Sequence, residues 1–241
     1  MNRNQIYFEL FKKYQDMYDE LLTDVKKGAL EKKYARGGEC IHRGFFCPSP
    51  IFDIVVGGAN RGRLLKTQRS METADYCYTF SKGNLVMADA YVFFKGKGRV
   101  LYNREYILND GDIEIAPLYN VLPDSIIRIA GITICEYLPC NMQLRSGRKI
   151  LRYIRVHALT YELDTLLPKD LDINVETYSY NHDGLIACST LENISYGNVQ
   201  LRSYAFNHDD EGKIISYKVL NGKNCNLSSD YAVPKSMQRI I

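Results

Sequence analysis

The 241-residue sequence has no tryptophan, only 7 prolines and only 4 histidines. It also lacks any run of ~18 consecutive apolar residues, so no segment is typical of a membrane-spanning helix. Lysine and arginine total 31 against 28 acidic residues, and the resulting net charge of +3 is too small to indicate a nucleic-acid-binding protein. With 46% apolar residues, the composition predicts a folded globular protein and excludes a wholly disordered one.

Disulfide and targeting signals are also missing. The sequence has 7 cysteines, an odd number, and no CxxC motif, which indicates reduced thiols packed as small apolar side chains. The apolar residues near the N-terminus are interrupted by Glu9, Lys12 and Lys13, which is not the pattern of a signal peptide. We therefore predict a cytoplasmic protein that needs no cofactor.

The first 38 residues have a helical pattern. Apolar residues recur every three or four positions, at Ile6, Leu10, Tyr14, Met17, Leu21 and Val25, and charged residues fall between them. This spacing predicts an amphipathic helix that lies on or beside the sheet of the same domain. A short helical piece, Leu30 to Arg36, is expected to follow Gly28 and to end at Gly37-Gly38. We assign 1–38 as an N-terminal helical segment.

After residue 40 the apolar period changes to two, which predicts β-strands separated by turns. The predicted strands are Phe52–Val56, Tyr76–Phe80, Leu85–Phe94, Val100–Leu108, Asp112–Ala116, Ser125–Tyr137, Ile150–Leu163, Leu171–Tyr180, Leu185–Leu191, Leu201–Phe206 and Ile214–Leu220. No helical pattern alternates with them, so antiparallel hairpins are favoured over a parallel sheet. We predict a β-rich α+β fold with a sheet domain over 39–220 and a loop or tail over 221–241.

Three segments, 78–86, 178–186 and 204–215, share one plan: two aromatic residues one position apart, a polar turn, a glycine and an aliphatic pair. This plan predicts a hairpin in which the aromatic pair lies on one face and glycine supplies the turn. The pattern resembles the tyrosine-aspartate (YD, or Rhs-type) hairpin repeat, although Ser81, Asn181 and Asn207 stand where that repeat has aspartate. The resemblance implies stacked hairpins of the kind found in toxin-delivery shells and in immunity-like proteins, and with them protein–protein recognition.

A glycine-rich segment, Gly57 to Leu64, has the outline of a phosphate-binding loop after an apolar run. However, Arg63 and Leu64 stand where such a loop needs Lys and Ser or Thr, so a flexible turn is favoured. The basic residues Arg61, Arg63, Lys66 and Arg69 could still form an anion site without a nucleotide.

Other chemical motifs are incomplete. Two Asn-His-Asp triplets, 181–183 and 207–209, suit turn conformations and need no metal. Cys40, His42 and Cys47 lack the second half of a zinc site. A Cys–His pair such as Cys77 with His157 stays open, because such pairs meet in space and not in sequence. We assign no catalytic, cofactor-binding or metal-binding residue.

The leading functional hypothesis is a non-catalytic interaction protein, with a bacterial immunity-type protein that neutralises a toxin as one form of it. The 19 tyrosines and 9 phenylalanines could supply an aromatic recognition surface, although strands favour tyrosine in any case. Two alternatives are a phosphate-ligand-binding protein or enzyme that uses the Arg61–Arg69 segment, and a structural homo-oligomer that pairs through sheet edges.

Overall fold

A computed structural model of the protein describes residues 3–39, 41–56, 60–66, 73–121, 126–139, 148–160, 162–196, 198–220 and 230–238. Strands account for 54% of the structure and helices for 18%, so the predicted β-rich α+β class is confirmed. Within these ranges, no helix combines the length and the apolar character that crossing a membrane requires.

In the part of the chain that the structure describes, fourteen strands form one antiparallel sheet in the order β14-β13-β12-β11-β10-β9-β8-β7-β5-β4-β3-β1-β2, with β6 paired to β7. Most neighbours in the sheet are therefore neighbours in sequence, as hairpins require. The strands are β1 Leu30–Arg36, β2 Arg63–Leu64, β3 Tyr76–Ser81, β4 Asn84–Phe94, β5 Gly98–Tyr106, β6 Leu108–Asp110, β7 Ile113–Val121, β8 Ile127–Tyr137, β9 Ile150–Ala158, β10 Leu171–Tyr180, β11 Ile186–Ser195, β12 Asn198–His208, β13 Ile214–Leu220 and β14 Asp230–Ala232.

The prediction of a short helix over Leu30–Arg36 is wrong, because these residues form β1. Glu and Lys favour helices as isolated residues, but that preference is weak and is overridden when the sheet offers a partner strand. Here β1 pairs with β3 from Leu30 to Ala35, and Tyr34 and Ala35 become buried. The predicted helical segment 1–38 therefore contains a strand of the sheet.

Two further elements differ from the prediction. The single N-terminal helix is instead two helices, α1 Arg3–Tyr14 and α2 Tyr18–Lys26. The predicted strand over Phe52–Val56 is a short helix, α3, whose Ile54 packs on the sheet. The predicted C-terminal tail, 221–241, contains the edge strand β14, while 221–229 lie outside the described residues.

The two faces of the sheet have different covers. On the helix-covered face, Tyr7, Phe11 and Tyr14 of α1 pack against a core that includes Tyr106 and Ile154. The opposite face is covered by residues 41–56, and we call it the loop-covered face. There, Phe45 and Phe46 pack on aromatic residues of β3, and Ile51 and Ile54 pack on β9 to β13.

The three segments that share the aromatic-turn-glycine plan all fold as hairpins: β3–β4, β10–β11 and β12–β13. Their glycines, Gly83, Gly184 and Gly212, have φ values of 81°, 76° and 82°, which L-residues with side chains rarely adopt. Their aromatic pairs belong to the cores of the loop-covered face. The kinship with YD-type repeats stays a prediction.

Candidate functional site

The loop-covered face buries an ion cluster around Arg43, whose side chain is only 2% exposed. Its Nε and Nη2 each donate a hydrogen bond of 2.9 Å to Glu105, and its Nη1 donates one of 2.8 Å to Glu114. Burial alone would raise the pKa of Glu105, but Arg43 and His42 reverse this effect and hold the pKa well below its usual range. Glu105 is therefore ionised at neutral pH.

His42 connects this cluster to β8 and β9. Its Nδ1 lies 2.6 Å from the Tyr153 hydroxyl, and its Nε2 lies 3.1 Å from Glu105 Oε1 and 3.3 Å from Thr133 Oγ1. Nε2 therefore faces the Glu105 carboxylate, and Nδ1 faces the Tyr153 hydroxyl. The contacts with Glu105, Thr133 and Tyr153 thus fix the orientation of the His42 ring.

A second buried group lies under Ser49. Ser49 Oγ donates a hydrogen bond of 2.6 Å to Glu176 Oε2, and the Tyr178 hydroxyl donates to the same oxygen. Burial raises the pKa of Glu176 even though both hydrogen bonds act in the opposite direction. The covering segment is therefore attached to β10 through a carboxyl group that resists ionisation.

We expect the Glu176→Gln variant to gain stability relative to the wild type as the pH rises. A carboxyl group whose pKa is raised by folding stabilises the protein fully below its unfolded pKa of ~4.3, and this contribution is lost as the pH rises through the folded-state pKa. Melting temperatures at several pH values between ~4 and ~8 would measure the difference. Glu20→Gln, at an exposed position, provides the control. If the melting temperature of E176Q relative to the wild type changed as little with pH as that of the control, the expectation would be contradicted.

A cavity of about 220 Å³ lies beside the Arg43 cluster. Its apolar wall is formed by Ile41, Tyr76, Ala88, Ala90 and Leu118, and its polar wall includes Asn103, Arg155 and His157. Tyr76 of β3 and His157 of β9 would lie about 24 Å apart in a flat sheet, since five strand spacings of ~4.8 Å separate them. Because both line one cavity, the loop-covered face is concave here.

Two polar side-chain atoms of this wall have no hydrogen-bond partner among the residues that the structure describes. Arg155 Nε and Asn103 Oδ1 are buried without a hydrogen bond. The Arg155 guanidinium lies 5.4 Å from the centre of the Phe52 ring and 5.9 Å from that of Tyr153, and it forms no ion pair with any residue that the structure describes. A buried donor without an acceptor is costly, so a ligand or water that bonds these atoms would be stabilised.

His157 is placed by Gly131, its partner on β8. A Cβ atom at position 131 would lie 2.7 Å from His157 Nδ1 and 2.6 Å from the carbonyl oxygen of Val156, so only glycine leaves room for the imidazole. Burial, with further contributions from Arg155 and His42, lowers the pKa of His157 to about 4. His157 is therefore neutral at pH 7 and can donate and accept hydrogen bonds.

Arg61 of the predicted basic segment is bound within the covering segment, and the anion site over Arg61–Arg69 stays a prediction. Arg61 donates to Asp53 Oδ1 at 3.2 Å, to the Cys47 carbonyl oxygen at 2.7 Å and to the Ser49 carbonyl oxygen. Its guanidinium therefore holds the covering segment together. Arg63 lies on β2, and Gly57, Gly58 and Arg69 lie outside the described residues.

The other predicted pairs do not form a site. Cys77 packs with Tyr34 on the opposite side of the sheet from the cavity that His157 lines, so these two side chains do not meet. His182 is an exposed turn residue beside Asp183. Over the described ranges, no three His, Cys, Asp or Glu side chains form a metal-binding group, and Cys40 lies outside those ranges.

No protein-family model matches this chain, and no curated protein does. Among solved structures, the chain shows similarity to a Bacteroides fragilis protein of unknown function, with 11% sequence identity and a TM-score of 0.26. The match covers 65% of this chain and 89% of the other. At this TM-score the similarity does not establish a shared fold, and the site is interpreted from its own geometry.

Proposed function

We propose that the protein binds a small ligand with a carboxylate group in the cavity under residues 41–56. The observation that carries the proposal is Arg155, a cation without an ion-pair partner in the described structure, in the wall of a 220 Å³ cavity. A carboxylate on the ligand would accept hydrogen bonds from the guanidinium, and charge-assisted bonds of this kind are among the strongest in proteins. Asn103 would accept a further hydrogen bond from the ligand or from water.

The size and walls of the cavity define the rest of the ligand. A cavity of ~150 Å³ holds benzene, so the 220 Å³ measured here suits a molecule of about nine non-hydrogen atoms. The cavity is also lined by Ile41, Ala88, Ala90 and Leu118, and these side chains favour an apolar body. Benzoate has this size and this combination of groups, which makes it a suitable probe.

The charges around the cavity favour a carboxylate over a phosphate. Arg43 also lines the cavity, but its single positive charge faces two carboxylates, Glu105 and Glu114, so this cluster offers no positive charge to a ligand. Arg155 is left as one unpaired positive charge, and Glu39 adds a negative charge on the lining. A dianionic phosphate would leave one charge without a partner at a low-dielectric site, whereas a monoanion would not.

We expect the Arg155→Gln variant to bind benzoate at least 10-fold more weakly than the wild type. The variant loses charge-assisted hydrogen bonds worth about 1.5–3 kcal/mol, which corresponds to about a 10- to 100-fold change in Kd. Isothermal titration calorimetry would measure the affinity, with inorganic phosphate as the competing anion. Arg152→Gln is the matched control, because Arg152 is on the same strand and pairs with Glu136 outside the cavity. Equal affinities for R155Q and R152Q would refute the proposal.

We propose protein–protein recognition, including the immunity-type role, as a second candidate function. It is supported by three exposed apolar side chains in the β11–β12 hairpin: Tyr196 at 68%, Val199 at 61% and Leu201 at 64% exposure. Clustered exposed apolar residues are typical of an interaction surface. Homo-oligomerisation through sheet edges has less support, because the part of β1 that the short edge strand β2 does not pair carries Glu31, Lys32 and Lys33, and such charges oppose strand addition.

A double variant tests the second candidate. We expect Val199→Glu with Leu201→Glu to lose a stoichiometric partner that the wild type captures from its native lysate, because two buried carboxylates would oppose docking. Benzoate binding should be unchanged, since the hairpin lies away from the cavity lining. Mass spectrometry of the captured proteins gives the readout, and Ile215→Glu, at an exposed position on β13, is the control. A partner retained by the double variant would exclude this surface.

A further inference from the structure

The β4–β5 hairpin extends beyond both strands that flank it. β3 pairs with β4 only as far as Ala90, and β7 pairs with β5 only from Asn103 onward. Residues 92–100, which we call the arm, therefore form strand pairs only with each other among the residues that the structure describes. Four residues beyond Tyr91, at ~3.4 Å each, place the tip roughly 14 Å outside the body of the sheet.

Two phenylalanines near the tip are exposed on the two sides of the arm. Phe93 is 72% exposed, the highest value among the large apolar side chains of the described structure, and Phe94 is 40% exposed. Successive strand residues point to opposite faces, so one ring lies on each side of the hairpin. Phe94 is the Cα partner of Gly98, which offers its ring no side chain to pack on. Adjacent exposed aromatic residues on a projecting element are typical of an interaction site.

The charges of the arm have one sign. It contains Lys95, Lys97 and Arg99 and no acidic residue. Arg99 is bonded to Asp75 in the body of the sheet, whereas Lys95 and Lys97 are exposed and form no ion pair with any described residue. A Cβ atom at Gly96 would meet no other atom within 4 Å, so open space surrounds the backbone between the two lysines. The tip therefore offers two free cations to an anionic partner.

We propose that the arm docks the protein on an anionic lipid bilayer, as a peripheral contact that does not cross it. The inference is independent of the cavity and of its ligand. The two rings would enter the boundary between headgroups and acyl chains, while the two lysines bind the anionic headgroups. A bilayer surrounds an inserted tip and buries both rings, whereas a protein or nucleic acid that lies against one side of the arm would cover only one of them.

Vesicle cosedimentation at low ionic strength tests the inference with two double variants of the arm. We expect the wild type to bind phosphatidylcholine vesicles with about 30% phosphatidylserine at least 10-fold more tightly than vesicles of phosphatidylcholine alone. Phe93→Ser with Phe94→Ser should weaken binding to the anionic vesicles at least 10-fold, because both rings are lost from the acyl boundary. Lys95→Gln with Lys97→Gln should weaken it about 10- to 30-fold, and added salt should weaken binding of the wild type in the same way.

Matched control variants carry the same changes outside the arm. Ile6→Ser with Ile113→Ser removes two exposed apolar side chains, and Lys26→Gln with Lys235→Gln removes two exposed lysines. We expect both controls to change vesicle binding by less than about twofold, because these side chains lie away from the arm. Melting temperatures close to that of the wild type would show that all four variants are folded.

The outcomes decide for or against a lipid partner. If the wild type has no preference for anionic vesicles, if either arm variant keeps the wild-type affinity, or if a control weakens binding as much as its counterpart in the arm, the inference is wrong. Binding of a fluorescent single-stranded RNA that the arm variants abolish, without vesicle binding by the wild type, would make the arm a nucleic-acid contact and overturn the inference. A preference for anionic vesicles that both arm variants remove and neither control changes supports it.

Discussion

Replacing Arg43 by methionine should lower the free energy of unfolding by about 3–5 kcal/mol, because it leaves two buried carboxylates without their cation. Glu105 and Glu114 both accept hydrogen bonds from the guanidinium, and neither can reach bulk water without displacing the covering segment. Urea denaturation at pH 7 measures the change. The matched control is Arg152→Met, which breaks a partly exposed pair with Glu136 and should cost only about 0–1 kcal/mol.

The loss in free energy of unfolding caused by Arg43→Met should be smaller in acid than at neutral pH. In the wild type, the depressed pKa of Glu105 gives stability that is present above the unfolded pKa of ~4.3 and is lost as the pH falls through the folded-state value. Without Arg43, the Glu105 carboxyl group no longer prefers its ionised form. Its protonation in acid therefore restores part of the free energy of unfolding that the variant has lost. A deficit that is constant from neutral to acid pH would show that Arg43 stabilises the fold by packing and not by charge.

The Phe11→Ala variant should lose a similar amount, about 3–5 kcal/mol, because it empties a large site in the core of the helix-covered face. Phe11 is fully buried and packs with Tyr7 and Tyr14 against the sheet. Ile6→Ala on the same helix is the control: Ile6 is 49% exposed, and its loss should change stability by about 0.5 kcal/mol or less. Equal effects of the two substitutions would mean that α1 does not pack as the structure shows.

The sheet could be predicted because strand periodicity is a local property. Polar turn residues followed by glycine, as in Ser81-Lys82-Gly83, directly indicated where the chain reverses. The errors came where tertiary contacts outweighed local preference. Lys32 and Lys33 favour a helix but lie on strand β1, and Ile54, Val55 and Val56 favour a strand but lie in α3.

The cavity could not be predicted, because its residues are far apart in sequence and meet only through sheet curvature. One signal was available on β9, where Tyr153, Arg155 and His157 alternate with Ile154 and Val156. That alternation is typical of a strand with a solvated face, and only the cover formed by residues 41–56 converts it into a site. The distant basic segment around Arg61 was instead more conspicuous, because its charges are adjacent in sequence.

The two covers of the sheet have a consequence for synthesis on the ribosome. Ser49 hydrogen-bonds Glu176, 127 positions later, and Arg3 pairs with Glu192, 189 positions later. The hairpins can zip together as they emerge, since each strand follows its neighbour, but α1 and the covering segment must wait for partners made much later. A nascent chain that stops before β10 therefore leaves Ser49 and Arg3 without these partners and Ile51 without its contacts on β10 to β13, and we expect chaperone binding to concentrate in that interval.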